Sequence, residues 1–151
     1  MSSIQLSKNF FLDEFIKSDT AVRKGIPNNP DPIVIQALTK QATMMETIRK
    51  LLGNNKITVL SGYRCPQLNK AVGGAANSEH ITGEACDFIV PAYGNPVEVA
   101  HAIAKSELDF GQLIYEGTWV HISQPGRFKR QILTATFIPG EKVRYTPGLP
   151  T

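Results

Sequence analysis

The stretch Ser78-Glu79-His80-Ile81-Thr82-Gly83-Glu84-Ala85-Cys86-Asp87 sets an imidazole and a carboxylate seven residues apart, across a glycine, with the carboxylate entering an apolar run. Ala85 to Val90 reads as a strand. Alternate residues of a strand share a face, so Ala85, Asp87 and Ile89 point one way and Cys86, Phe88 and Val90 the other. A second short run, Trp119 to Ser123, puts Trp119, His121 and Ser123 on one face and Val120 and Ile122 on the opposite one. If the two strands are neighbours in an antiparallel sheet, Asp87 and His121 project side by side. The loop ahead of Asp87 then carries His80 in as a third metal ligand.

Two imidazoles and one carboxylate leave a fourth tetrahedral position open, which marks a catalytic rather than a structural zinc site. Zinc held this way lowers the pKa of its water to about 7 and supplies a nucleophile at neutral pH. Non-haem iron uses the same residue types, so the ligand types leave the metal open. An iron oxygenase is disfavoured, because the many strands of a double-stranded β-helix are missing. Hydrolysis of an amide also needs a base. Glu116, beside the tight Glu116-Gly117-Thr118 connection into the His121 strand, is the candidate. Arg64, leaving the turn Ser61-Gly62-Tyr63-Arg64, suits a paired, charge-assisted contact with a substrate carboxylate.

Outward from this core, Leu12 to Lys17 reads as a short helix, and Gly25 to Pro30 is dense in residues that break regular structure. Asp31 caps and Pro32 opens a longer helix whose Val34, Leu38, Met45, Ile48 and Leu52 share one face and which Gly53 ends. Lys56 to Leu60 is a buried strand, and Pro66 to Val72 a short helix closed by Gly73-Gly74. Asn95-Pro96 with Glu98 is a helix-start signature for a helix running to Lys105. Phe110 to Tyr115 and Gln131 to Thr136 are further strands, and the residues from about 137 to 151 form an extended tail. Helices come first and strands cluster later, so the fold class is α+β with a small antiparallel sheet. His101 sits among apolar helical neighbours as a core or boundary residue and not as a fourth ligand.

The run Ser78 to Asp87 has the form S-x-H-x-x-G-x-A-x-D. With Ser61-Gly62-Tyr63-Arg64 upstream and Trp119-Val120-His121 downstream, it resembles the zinc D-Ala-D-Ala carboxypeptidase and L-alanyl-D-glutamate endopeptidase family, which shares its fold with the Hedgehog signalling domain. Phe11 to Pro30 looks like the lead-in of a compact, single-domain branch found in phages and prophages. The resemblance implies a few helices around a small antiparallel sheet and one catalytic Zn2+ on His80, Asp87 and His121. It implies peptidoglycan stem peptide as substrate, cut by a carboxypeptidase or an endopeptidase of endolysin type. In such enzymes the water-activating residue lies a few positions before the last histidine, and Glu116 is the only carboxylate close upstream of His121. Arg64 then holds a substrate carboxylate, and Ser78, on the substrate side, orients the His80 loop. A different class of reading is a zinc-stabilised cell-wall-binding or phage tail module that does not cut.

Length and charge set the outer limits. The 151 residues suit one domain able to bury roughly two-thirds of its unfolded surface, and a monomer. Sixteen basic and thirteen acidic side chains give a formal +3 without a basic tract, so nucleic acid is not an expected partner. The start MSSIQLSKNFFLDEF lacks the pattern of a signal peptide, and no apolar run is long enough for membrane insertion. The expectation is a protein cytoplasmic as made, released to the wall by phage lysis machinery. Cys65 and Cys86 are expected as free thiols.

Overall fold

The computed structural model describes residues 3–151, so the first two residues of the N-terminal stretch read for a leader lie outside it. The chain forms two compact units. One holds the residues up to Glu46 with Val59–Cys86, and the other Thr47–Thr58 with Asp87–Thr151.

The first unit opens with a two-stranded ribbon, β1 (Gln5–Ser7) and β2 (Phe10–Phe11), which sequence reading did not expect. Glu46 pins its turn by accepting hydrogen bonds from Ser7 Oγ at 2.6 Å, Asn9 N at 2.6 Å and Asn9 Nδ2 at 2.7 Å. The expected first helix is α1 (Leu12–Ile16), and a second, α2 (Asp19–Lys24), follows it. Ser18 caps α2 by accepting from Ala21 N, and Gly25 ends it at φ +64. Six residues with only Ala21 buried show no apolar period, which is why pattern reading passed over α2.

The long helix is α3 (Pro32–Leu51). Asp31 Oδ1 accepts from Val34 N at 2.9 Å, the expected cap. Val34, Leu38, Met45, Ile48 and Leu52 are all buried, the last four fully. Next come β3 (Thr58–Ser61), α4 (Pro66–Ala71) and β4 (Ala85–Ile89). Gln41 and Met45 of α3 pack on the β4 thiol of Cys86 at 3.5 and 3.4 Å. Cys86 therefore faces the helix, and strand alternation turns Asp87 the other way.

The second unit continues through α5 (Pro96–Lys105), β5 (Gln112–Tyr115), β6 (Val120–Ser123), β7 (Gln131–Thr136) and β8 (Arg144–Pro147). Asn95 and Glu98 form the expected capping box at the start of α5. The strands order as β3-β4-β6-β5-β7-β8, so the strands of Asp87 and His121 are neighbours. Two expectations need correction. The sheet is mixed, because β5 and β7 run parallel. A parallel pair needs a crossover, and β6 with its following turn supplies one by returning the chain to the start of β5. The tail is not merely extended either. Residues 144–147 form β8, paired antiparallel to β7 with Ala135 opposite Tyr145. Pro147, which has no N–H to donate, is tolerated because β8 is the sheet edge. No helix among the described residues is long and apolar enough to cross a membrane.

Candidate metal centre

His80 is held both at its ring and at its main chain. Its Nδ1 lies 2.6 Å from the carbonyl oxygen of Gly62. A carbonyl only accepts, so Nδ1 carries the proton and Nε2 is the unprotonated nitrogen, the one a metal takes. Arg64 N donates to His80 O at 3.0 Å, and His80 N donates to Ser78 Oγ at 3.2 Å. The Ser61-Gly62-Tyr63-Arg64 turn and the Ser78 loop thus brace one another. Glycine is required at two points of this brace. A Cβ on Gly62 would stand 2.6 Å from Phe15 O, and Gly83 has φ +80 with the side chain of Val34 3.0 Å from its Cβ position.

On β4 and β6, Asp87 and His121 meet as strand alternation leads one to expect. Asp87 Oδ1 and His121 Nδ1 are 3.0 Å apart, and both residues are buried. Glu116, just past β5, brings Oε2 to 4.0 Å from the same His121 nitrogen, its side chain 13% exposed. The hydrogen bond from Glu116 N to Trp119 O at 3.0 Å closes the turn that sets this approach, with Gly117 at φ +82.

The ligand atoms of His80, Asp87 and His121 all lie within 4.8 Å of one another. The donor set fits one Zn2+: two imidazole nitrogens and a carboxylate oxygen, buried, with the second nitrogen of His80 oriented by a carbonyl.

The sequence model of the Peptidase M15 family matches residues 8–123. The chain belongs to the M15 peptidase family. Over 60 residues it is 38% identical to the zinc D-Ala-D-Ala carboxypeptidase of Streptomyces albus G, a match covering 36% of this chain and 24% of that relative. The M15 match takes in His80, Asp87, His121, Glu116 and Arg64, and stops at the end of β6.

The other residues singled out in this M15 chain have distinct surroundings. Arg64 Nε donates to Asn69 Oδ1 at 3.1 Å, and Asn69 Nδ2 donates to Ala75 O at 2.8 Å, so a buried asparagine of α4 sets the direction of the guanidinium. His101 meets the tail, its Nε2 2.5 Å from Pro150 O. Both cysteines are free thiols, and Cys65 caps α4 through Sγ. Sequence reading missed Gly62 O and Asn69 as supports. A carbonyl has no residue-type signature, and an asparagine in a short helix reads as surface.

Proposed function

We propose that this M15 chain is a zinc peptidase that hydrolyses D-amino-acid-containing bonds of peptidoglycan stem peptides, within a Hedgehog/DD-peptidase-like fold. The observation that carries the reading is the carboxylate of Glu116, 4.0 Å from Nδ1 of His121. A site that only binds wall peptide has no need of a base in that position. Zinc on His80, Asp87 and His121 supplies Lewis acidity toward a carbonyl and makes water acidic enough to ionise near neutral pH.

The chain's own residues perform the rest. Glu116 takes the proton of the attacking water and returns it to the leaving amine, a shuttle that a carboxylate within reach of one water molecule can serve. Arg64, aimed by Asn69, pairs with a carboxylate of the stem peptide through its planar fork. Ser78 orients the loop through the backbone of His80. Gly62 O keeps His80 in the tautomer whose Nε2 is unprotonated.

The test is a synthetic stem pentapeptide ending in D-alanyl-D-alanine, incubated with zinc-loaded protein and followed by mass spectrometry. Release of a single D-alanine identifies a carboxypeptidase, and a split between L-alanine and D-glutamate an endopeptidase. Zinc-loaded protein that binds the peptide and releases neither product contradicts the enzyme and leaves the wall-binding module.

A further inference from the structure

The strand registers place more than the ligands on one sheet face. His121 of β6 stands opposite Ile114 of β5, Ile114 beside Leu133 of β7, and Leu133 opposite Pro147 of β8. Residues opposite one another share a face, as do residues two apart along a strand. Trp119, Glu116, Ala135 and Tyr145 therefore lie on the face of His121, in one row across four strands. The hydrogen bond from Glu116 N to Trp119 O and the Ala135–Tyr145 pairing fix the two ends of that row.

Between Tyr145 and Glu116 stands only Ala135, buried and too short to separate them. Two strand spacings, about 10 Å, separate the two backbones, a gap that a tyrosine and a glutamate side chain are together long enough to bridge. Tyr145 also feels the charge of the site. Burial pushes its phenol above the ordinary value, and the carboxylates of Glu116 and Asp87 push it the same way. The hydroxyl thus remains a donor at neutral pH. Tyr145 is nevertheless 52% exposed, open to a ligand. Two residues past Ala135, Phe137 packs on Trp119 with ring centroids 6.0 Å apart at 47°. The indole Nε1 of Trp119 is buried with no hydrogen-bond partner among the described residues, a donor whose isolation is costly unless an acceptor arrives.

Resting on the peptidase reading above, we propose that Tyr145 is a substrate-contacting residue. Its phenol donates a hydrogen bond to the peptide on the Glu116 side of the site, and with Trp119 and Phe137 it forms an aromatic wall along which the peptide lies. Trp119 lies within the segment that the family model matches, and Phe137 and Tyr145 fall beyond it.

Trp119 is the only tryptophan, so its fluorescence reports on the wall directly. Zinc-loaded Glu116→Gln protein, alone and with Tyr145→Phe or Tyr145→Ala added, is titrated with the D-alanyl-D-alanine pentapeptide, and the single Tyr145 variants are assayed for cleavage. Loss of the one hydrogen bond is expected to weaken binding about tenfold in Tyr145→Phe, with a larger loss in Tyr145→Ala and zinc content unchanged in both. Cleavage falls at least in parallel. Binding and cleavage within twofold of the parent in both variants overturn the role of Tyr145 while the peptidase reading stands. A parent that neither binds nor cuts the pentapeptide overturns both.

Discussion

At Gly62 two demands meet in one residue. Its carbonyl fixes the proton on His80 Nδ1, and its missing Cβ lets the turn pass within contact of the Phe15 backbone. A methyl group there cannot be accommodated by a side-chain rotation, because its nearest neighbours at 2.6 and 2.8 Å are backbone atoms. Gly62→Ala is therefore expected to shift the carbonyl and weaken zinc binding roughly 10–100-fold, the range for losing an outer partner of a ligating histidine. Competition with a chelator of known affinity measures it, and unchanged affinity would remove Gly62 from the metal support. Glu116→Gln separates metal from chemistry. It should keep zinc and lose about 10²- to 10⁴-fold in cleavage rate, whereas retention of the full rate would assign the base elsewhere. The meeting of His80, Asp87 and His121 was legible in the sequence because alternation on two strands and one glycine-containing loop determine it. Gly62 O and Tyr145 were not, since the first is main chain and the second reaches the row only through a register that no local pattern encodes.

Elements whose ends carry chemical signals were readable. Asp31 and Pro32 announce α3, Asn95 and Glu98 announce α5, and both helices begin where those residues place them. The ribbon escaped because two or three residues have no room for a period, and α2 because Ala21 alone of its six residues is buried. β8 escaped for another reason: all four of its residues are exposed, so pairing with β7 leaves no apolar alternation to read. Asn28 shows how the irregular connections are held. It donates to Ile16 O at 2.9 Å and Tyr63 O at 3.0 Å, and accepts from Cys65 N at 2.8 Å, joining the end of α1 to the turn before α4. Asn28→Ala strands these backbone groups and is expected to destabilise the protein by about 1–3 kcal/mol. Thermal unfolding is the measurement, and a melting temperature equal to wild type would mean that water replaces the side chain at no cost.

Across the whole molecule, the metal is expected to be a stabiliser as well as a reagent. A ligand that binds only the folded chain raises its stability with the logarithm of saturation, about 2.7 kcal/mol at a hundredfold excess over Kd. Chelation should accordingly lower the melting temperature by several degrees, about 2–4 °C per kcal/mol for a chain of this size, and added zinc should restore it. A melting temperature indifferent to chelator and zinc would mean that the three ligands bind no metal in solution. The most direct test of the account is the zinc content of purified, zinc-reconstituted protein beside His80→Ala. Close to one zinc per chain is expected in the parent and almost none in the variant. A parent without bound zinc, or a His80→Ala protein that keeps it, would contradict the assignment of His80, Asp87 and His121 as the metal centre.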